Sequence, residues 1–365
     1  MKRQDPHYYA DILTLTDVDE ILSASSLLTT DIRLVENGRE ISLSDLFPNE
    51  AEGRANGLEA LYESYRNGAT VNLMFLHERW LPLKRVCQSL AAELTVGVHG
   101  NVYLTPAGAQ GLQPHHDTHD VFVLQLYGTK HWRLYESQTR LPLQSQLYRH
   151  TGEDPEVVTR ELDLSPGDLM YLPRGTVHAA TANEAASLHL TIGVVPVVWA
   201  SLLRKAVDQA VAADSRFREA LPMGFALDET TRKEAKERLS ELFDDLRGAL
   251  SADAVVEEAA RTVLRRRQPA LLGHLQDLEA VGAIDVTTPL RRRPGLLWHL
   301  AREGEQVMLT FHGKVVSFPA HVEDELNFLG TVDEFTGAGI PGALDEAGRM
   351  VLTRRLLREG FLTLA

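Results

Sequence analysis

The feature that most constrains the fold is a series of short apolar segments between residues 101 and 200. Four of them, VFVLQLYG, KHWRLYE, DLMYLP and SLHLTIGVV, are separated by glycine, proline or polar turns. Apolar segments of this length, bounded by turn residues, are typical of β-strands. Several such strands in succession predict an antiparallel sandwich or barrel.

On both sides of this strand-rich segment, apolar residues recur at helical spacing. Before it, DVDEILSAS, SLSDLF, LEALYESYRNG and LPLKRVCQSLAAEL predict helices, TVNLMFL is a short apolar run, and Asn37-Gly38 predicts a hairpin turn. After it, ASLLRKAVDQAV and KERLSELFDDLRGAL predict helices, VMLTFHGKVVSFP predicts a hairpin that turns at Gly313, and LDEAGRMVLTRRLLREGFLTL predicts a helix running into a strand.

These changes of pattern predict four parts of the chain. They are an N-terminal lead-in at 1–54, the core domain at 55–199, a helical module at 200–267 and a small winged-helix-like domain at 268–365. A chain of 365 residues is long enough for several domains, each with its own core.

Composition excludes several classes of protein. Acidic residues outnumber basic ones by 51 to 37, so the average surface repels polyanions and DNA binding is not expected. The single cysteine, Cys87, cannot form an intramolecular disulfide, and the first residues have no apolar core of a signal peptide. No apolar run reaches the roughly 18 residues of a membrane span. We therefore expect a cytoplasmic protein that is not embedded in a membrane.

The densest chemical segment is PHHDTHD at 114–120, which is followed much later by His178 in YLPRGTVH. In an extended segment residues i and i+2 point to the same side, so His115 and Asp117 can reach one ion together. With His178 they have the composition of a two-histidine, one-carboxylate triad, which leaves three positions open on an octahedral metal. Ligand type does not select iron by itself, and zinc, manganese and nickel remain alternatives.

Four other side chains are candidates for the same site. His116 and His119 could form a local metal pair or orient a ligand. His189 lies in an alternating apolar strand and is expected to be a core histidine. Lys130 follows a turn and would ordinarily be solvated, but a lysine pointing into a barrel can pair with the carboxylate of a cosubstrate.

Two long segments, 101–136 and 168–182, resemble the JmjC-type ribosomal oxygenases, which are protein hydroxylases of bacteria and eukaryotes. The resemblance combines NVYLTP, PHHDTHDVFVLQ, GTKHW, PRGTVH and HLTI, in this order. It implies an α+β fold with a double-stranded β-helix core, of the jelly-roll, cupin or JmjC type. It also implies a helical dimerisation module and a C-terminal winged-helix-like domain.

The resemblance implies a role for each candidate residue. Ferrous iron would be bound by His115, Asp117 and His178, and Lys130 would bind the distal carboxylate of 2-oxoglutarate. Dioxygen would be the oxidant, and succinate and carbon dioxide would be released. The reaction would hydroxylate a side chain of a protein, most readily a ribosomal protein. Further pocket residues would be Asn101 and Tyr103, beside the cosubstrate and the target side chain, and Thr191, which assists the same carboxylate. The implied assembly is a homodimer.

Two departures from the family pattern affect these expectations. The chain begins at about DPHYYADILTL, after the aromatic-rich segment that usually precedes it, so we expect it to be N-terminally short. Gly193 stands where histidine-hydroxylating members have a serine, which argues against a histidine target. Lys130 argues for one, because the arginine-hydroxylating bacterial branch has arginine at that position. We weigh the lysine more, and histidine is therefore slightly favoured over arginine.

Other functions remain open on the sequence. A hydroxylase of a small peptide or secondary metabolite is compatible with Gly193 and the short N-terminus. A winged-helix regulator that uses the barrel as a metal sensor would need a basic recognition helix, and Arg354, Arg355 and Arg358 lie on one predicted helix, where such charges usually form a solvated face. Lysine demethylation of histones is possible by fold analogy, which is a poor guide to substrate.

Overall fold

The structure is a computed structural model that describes residues 1–24, 31–36, 38–41, 53–137, 139–149, 157–265 and 271–365. It divides after Pro196 into two compact units, Met1–Pro196 and Val197–Ala365. The predicted helix over SLSDLF lies outside the described residues. The division into four domains stays a prediction.

In the first unit, helices from the N-terminal part of the chain pack against a strand-rich core. Its described elements, in chain order, are α1 (Leu15–Ala24), β1 (Ile32–Glu36), β2 (Arg39–Ile41), α2 (Gly53–Arg66), β3 (Thr70–Leu73), α3 (Leu81–Leu94), β4 (Gly97–Thr105), β5 (Asp120–Tyr127), β6 (Lys130–Tyr135), β7 (Val158–Leu164), β8 (Leu169–Leu172), β9 (Val177–Ala182) and β10 (Ser187–Val195).

Two antiparallel sheets form the core of this unit. The larger has the strand order β2-β1-β3-β4-β10-β5-β8, and the smaller has the order β7-β6-β9. From β5 onward the chain passes to the small sheet, returns for β8, crosses again for β9 and returns for β10. This alternation is that of a jelly roll. The predicted double-stranded β-helix is therefore confirmed.

Strand β10 separates the hydrophobic core from the interior between the two sheets, because successive side chains of a strand point to opposite faces. Leu188, Leu190 and Ile192 are buried in a core that also includes apolar residues of α1, α2 and α3. His189, on the opposite face, lies 3.5 Å from Nζ of Lys130 on β6. The interior between the sheets is thus lined by polar and aromatic side chains.

The four apolar segments VFVLQLYG, KHWRLYE, DLMYLP and SLHLTIGVV are confirmed as strands β5, β6, β8 and β10. The predicted hairpin is confirmed by the antiparallel pairing of β1 with β2, in which Glu36 lies opposite Arg39, while Asn37 lies outside the described residues. The exposed strand β7 was not predicted, since its sequence VTRELDL is mostly polar. Its position depends on pairing with β6, where Trp132 lies opposite Leu162.

The second unit begins with helices and continues into a mixed α/β part. Its described elements, in chain order, are α4 (Trp199–Ala213), α5 (Glu229–Ala249), α6 (Ala252–Arg265), α7 (His274–Ala280), β11 (Pro289–Arg292), β12 (Trp298–Glu303), β13 (Gln306–Phe311), β14 (Lys314–Pro319), α8 (Glu323–Thr331), β15 (Glu334–Thr336), α9 (Glu346–Glu359) and β16 (Leu362–Leu364).

Two three-stranded sheets, β12-β13-β14 and β15-β11-β16, contribute to one hydrophobic core with α8 and α9. The hairpin that turns at Gly313 is confirmed, because Phe311 pairs with Lys314. The helix that runs into a short strand is also confirmed, as α9 and β16. The winged-helix interpretation stays a prediction. In the described part of the chain, no helix is long and apolar enough to cross a membrane.

The packing of β10 generates a stability prediction. Leu190 is fully buried, so Leu190→Ala should lower the free energy of unfolding of the first unit by about 2–5 kcal/mol. Leu147 is 72% exposed, and Leu147→Ala should change the same quantity by no more than about 0.5 kcal/mol. Urea denaturation followed by tryptophan fluorescence measures both variants. Equal effects of the two substitutions would contradict the burial of Leu190.

Candidate active site

The backbone joins the two histidines of the predicted triad. His115 and His178 form an isolated antiparallel bridge, in which N of His115 donates to O of His178 at 3.1 Å and N of His178 donates to O of His115 at 2.8 Å. His178 is on β9, whereas His115 lies in the segment before β5. The bridge therefore places residues that are distant in the sequence side by side.

The structure brings His115, Asp117 and His178 together around one point. One ligand atom of each lies within 4.8 Å of the others, and Nε2 of His178 is 3.9 Å from Oδ2 of Asp117. The two imidazole rings have centroids 4.5 Å apart. His178 is buried, while His115 and Asp117 are half-buried, so solvent reaches one side of the group. Among the described residues, this group satisfies the spacing that a metal ion needs.

The hydrogen bonds of the two histidines fit a bound metal. Nδ1 of His115 lies 2.8 Å from the carbonyl oxygen of Gln113, and Nδ1 of His178 lies 3.0 Å from that of Thr176. A carbonyl oxygen only accepts, so each Nδ1 carries a proton and Nε2 is the ring nitrogen left to bind a metal. Burial, and then the neighbouring His115, lowers the pKa of His178, which keeps its imidazole neutral. Two imidazoles that can bind through Nε2, together with a carboxylate, suit a divalent metal.

The turn before His178 requires glycine. Gly175 has φ +87°, and a Cβ at this position would lie 2.6 Å from the carbonyl oxygen of Thr139. Its N–H donates to the backbone oxygen of Asp117 at 3.0 Å. Gly175 thus connects the segment that carries Asp117 to the strand that carries His178.

Lys130 lies inside the protein and not at a solvated hairpin end. It is 2% exposed, its Nζ donates to Oγ1 of Thr105 at 2.8 Å, and Nδ1 of His189 lies 3.5 Å away. Burial lowers the pKa of Lys130 to about 7. No carboxylate of a described residue forms an ion pair with it. A buried ammonium without an acidic partner is costly, and an anion entering the interior would relieve that cost.

The three other predicted pocket residues line the same interior but already have partners. The ring of Tyr103 stacks on His189, with centroids 4.8 Å apart, and burial raises the pKa of Tyr103 to about 12. Oγ1 of Thr191 donates to the backbone oxygen of Asn101 at 3.3 Å. Oδ1 of Asn101 accepts from the backbone N–H of Phe75 at 2.8 Å. Their contacts with a cosubstrate stay a prediction.

The remaining histidines of the motif lie outside the triad. Nε2 of His116 is 3.2 Å from the backbone oxygen of Gln146, and its ring contacts Tyr148. The ring of His119 packs against His99, with centroids 4.8 Å apart. His189 is buried, as expected of a core histidine, although its neighbour is Lys130.

Sequence reasoning missed two residues that the structure places beside these groups. Thr105 is buried and accepts the hydrogen bond from Lys130. His99 lies next to His119, and its pKa is lowered to about 4 by burial and then by the charge of His119. Both are on β4, opposite β10. Thr105 lies within NVYLTP, from which only Asn101 and Tyr103 were taken as pocket residues, and no local motif marks His99. The alternation of side chains along β4 could have indicated both residues. His99 and Thr105 lie on the same face of the strand as Asn101 and Tyr103, which were predicted to line the pocket.

Comparison with known proteins agrees with this geometry. Residues 74–202 match the family model of the JmjC domain. The bifunctional lysine-specific demethylase and histidyl-hydroxylase NO66 of Dictyostelium discoideum is 30% identical over 344 residues, which cover 86% of this chain and 64% of that protein. Ribosomal oxygenase 2 of Mus musculus is 35% identical over 201 residues, which cover 53% of this chain and 41% of that protein.

Among solved structures, YcfD, a ribosomal oxygenase from Escherichia coli in complex with cobalt and succinic acid, superposes with a TM-score of 0.50. It is 16% identical, and the match covers 99% of this chain and 91% of that one, so it shows a common fold.

The two-sheet core with its His-Asp-His group is that of the JmjC/cupin class, and the segment 74–202 belongs to the JmjC domain family. Within this family the chain is similar to ribosomal oxygenases, which confirms the resemblance found in the sequence. The chain spans less than two thirds of the length of either curated relative.

The triad generates a prediction about metal binding. His115→Ala, Asp117→Ala and His178→Ala should each reduce bound Fe(II) below one tenth of the unaltered level, because each removes one of three protein ligands. His116→Ala is the matched control, since its ring contacts Gln146 and Tyr148 instead. Metal content after anaerobic loading and gel filtration is the measurement. Full iron occupancy in Asp117→Ala would contradict the assignment.

Proposed function

We propose that this chain is an iron(II)- and 2-oxoglutarate-dependent oxygenase that hydroxylates a side chain of a protein. The observation that carries the proposal is the pairing of two sites in one interior. The group formed by His115, Asp117 and His178 has the ligand types and spacing of a divalent-metal site, and the buried ammonium of Lys130, which forms no ion pair with a described carboxylate, suits an anionic ligand. A dicarboxylate that also binds the metal would satisfy both sites with one molecule.

Each residue of the chain has a separate task in this reaction. Nε2 of His115, Nε2 of His178 and a carboxylate oxygen of Asp117 would hold the metal, and Lys130 would neutralise the distal carboxylate of 2-oxoglutarate. When bound, iron and 2-oxoglutarate supply the oxidising chemistry, in which dioxygen is consumed, succinate and carbon dioxide are released, and one substrate C–H becomes C–OH. The apolar and aromatic walls around Lys130, which include Trp132 and Tyr103, keep water from the cosubstrate.

The relatives support this proposal. A histidyl-hydroxylase and a ribosomal oxygenase are among them, and the Escherichia coli ribosomal oxygenase binds cobalt, a divalent metal, and succinic acid, a dicarboxylate. The substrate we propose is a ribosomal protein, with histidine slightly ahead of arginine as the target residue. The excess of acidic residues in this chain would attract the basic segments of ribosomal proteins.

We also propose that the chain is a homodimer, joined through the helical module at 200–267. On α4, Trp199, Leu203 and Val207 are exposed at intervals of four residues and so lie on one helix face. On α5, Leu239 and Phe243 are exposed with the same spacing. Exposed apolar faces of this kind mark interaction sites.

We further propose a cytoplasmic location, which suits the free thiol of the buried Cys87.

The lowered pKa of Lys130 generates a prediction about pH. A bound carboxylate favours the charged lysine, whereas the free protein loses that charge as pH rises through about 7. The dissociation constant for 2-oxoglutarate should therefore rise by up to about tenfold per pH unit above pH 7. Lys130→Arg, which stays charged, should remove this dependence.

Lys130→Ala should raise the dissociation constant for 2-oxoglutarate about a hundredfold or more at pH 7, with little change in iron affinity.

Anaerobic titration calorimetry at pH 6.5, 7.5 and 8.5 measures these constants. His189 is neutral throughout this range, because burial and then Lys130 lower its pKa well below the usual value. An unaltered affinity in Lys130→Ala would place the carboxylate site elsewhere in the protein.

The proposed substrate is tested with ribosomal proteins from a deletion strain. Purified enzyme with Fe(II), ascorbate and 2-oxoglutarate should add one oxygen to a ribosomal peptide, detected by peptide mass spectrometry. Asp117→Ala is the inactive control. Hydroxylation of a free amino acid or of a small natural-product peptide, with no ribosomal peptide changed, would replace a protein substrate by a small one.

A further inference from the structure

Three rings, those of Phe75, His99 and His119, form a row beside the segment that carries Asp117, and none of them belongs to the proposed metal triad or contacts Lys130 in a described hydrogen bond. The rings of Phe75 and His99 have centroids 5.7 Å apart, and those of His99 and His119 are 4.8 Å apart. His119 is two residues after Asp117 along the chain. Phe75 is 44% exposed and both histidines are half-buried, so a ligand beside the triad could touch this row.

The first ring of the row is held in a conformation that costs free energy. Phe75 has φ 50° and ψ 34°, in the left-handed region that residues with a bulky side chain rarely adopt. The buried side chain of Asn101 accepts a hydrogen bond from the Phe75 N–H and stabilises this conformation. Backbone strain of this kind is concentrated at binding and catalytic sites. Asn101 therefore has a positioning role that the sequence motif did not indicate.

The middle ring of the row depends on a glycine in the neighbouring strand. His99 on β4 lies opposite Gly193 on β10. A Cβ built on Gly193 would be 2.4 Å from Cε1 and Nε2 of His99 and 2.8 Å from Cδ2 of His119. The imidazole of His99 thus occupies the space that any side chain at position 193 would need. Its position is possible only because residue 193 is glycine.

The chemistry of the row limits what it can recognise. His99 is neutral, since burial and then His119 lower its pKa, and it therefore offers a flat face with one hydrogen-bond donor and one acceptor. Phe75 adds a second flat face. Asp117 is the carboxylate whose charge acts on His99, and it belongs to the His115–Asp117–His178 triad, so it is not free to pair with a guanidinium. A neutral planar ring with nitrogen atoms, such as imidazole, fits this surface.

We propose that His99, lying over Gly193 between Phe75 and His119, contacts the target side chain and makes the site specific for imidazole over guanidinium. This inference rests on the proposed function and adds the residue that sets the specificity of the same site. His99 acts through its ring face and its ring nitrogens. Gly193 acts indirectly, by leaving room for that ring.

The experiment uses two synthetic peptides, one copying the ribosomal segment that gains oxygen and one with histidine and arginine exchanged at the target position. KM and kcat are measured for the full-length unaltered enzyme, His99→Ala, Gly193→Ser and the double variant His99→Gly/Gly193→Ser. His321→Ala, an exposed histidine of the second unit, is the matched control. Circular dichroism and iron content accompany each variant.

We expect the unaltered enzyme to prefer the histidine peptide. His99→Ala should raise KM for that peptide about tenfold with a smaller change in kcat, and should reduce the preference over arginine. Gly193→Ser should have the same effect because it displaces the ring, and His99→Gly in the same chain should recover part of the loss by giving the serine room. His321→Ala should change neither constant.

The outcomes separate this inference from the proposed function. An unaltered enzyme that binds no iron, or that hydroxylates no ribosomal segment, overturns both. An active enzyme whose KM and histidine preference are the same in His99→Ala overturns only the role of His99. A Gly193→Ser variant that keeps the original KM would also overturn it, because the ring could not then occupy the space over residue 193.

Discussion

The backbone bridge between His115 and His178 is the constraint on which the rest of the site depends. Two backbone hydrogen bonds join a loop residue to a strand of the small sheet, although the two residues are far apart in the sequence. The bridge brings the two imidazole rings together, and the Nδ1 contacts with backbone carbonyls leave Nε2 of each ring available to a metal. The main chain therefore preorganises the two histidines of the proposed metal triad, because it restricts where their imidazole rings can lie.

The jelly roll adds a second constraint by dividing the side chains of each strand between two environments. On β4 and β10, one set of alternate residues packs into the apolar core, and the other set faces the interior between the sheets. Lys130 enters this interior from β6 of the opposite sheet. The ammonium is buried there and forms no ion pair with a described carboxylate. The interior between the sheets therefore favours the binding of an anion.

Local pattern was sufficient to predict the three residues that the structure brings together with metal-site spacing. The spacing of His115 and Asp117, and the proline and glycine turn before His178, were visible in the sequence, and so were the strands with an apolar pattern. The polar strand β7 was not, since its place depends on pairing with β6. The same holds for tertiary contacts: nothing local to Asn101 indicates Phe75 as its partner, and nothing local to Gly193 indicates the ring of His99.

A crystal structure of the protein grown without oxygen, with Fe(II) and 2-oxoglutarate, tests the central claim most directly. The account predicts one metal ion within coordination distance of Nε2 of His115, Nε2 of His178 and a carboxylate oxygen of Asp117. It also predicts a carboxylate of the same 2-oxoglutarate molecule within hydrogen-bond distance of Nζ of Lys130. A metal held by other residues, or a Lys130 ammonium that still faces no carboxylate while 2-oxoglutarate is bound elsewhere, would contradict it.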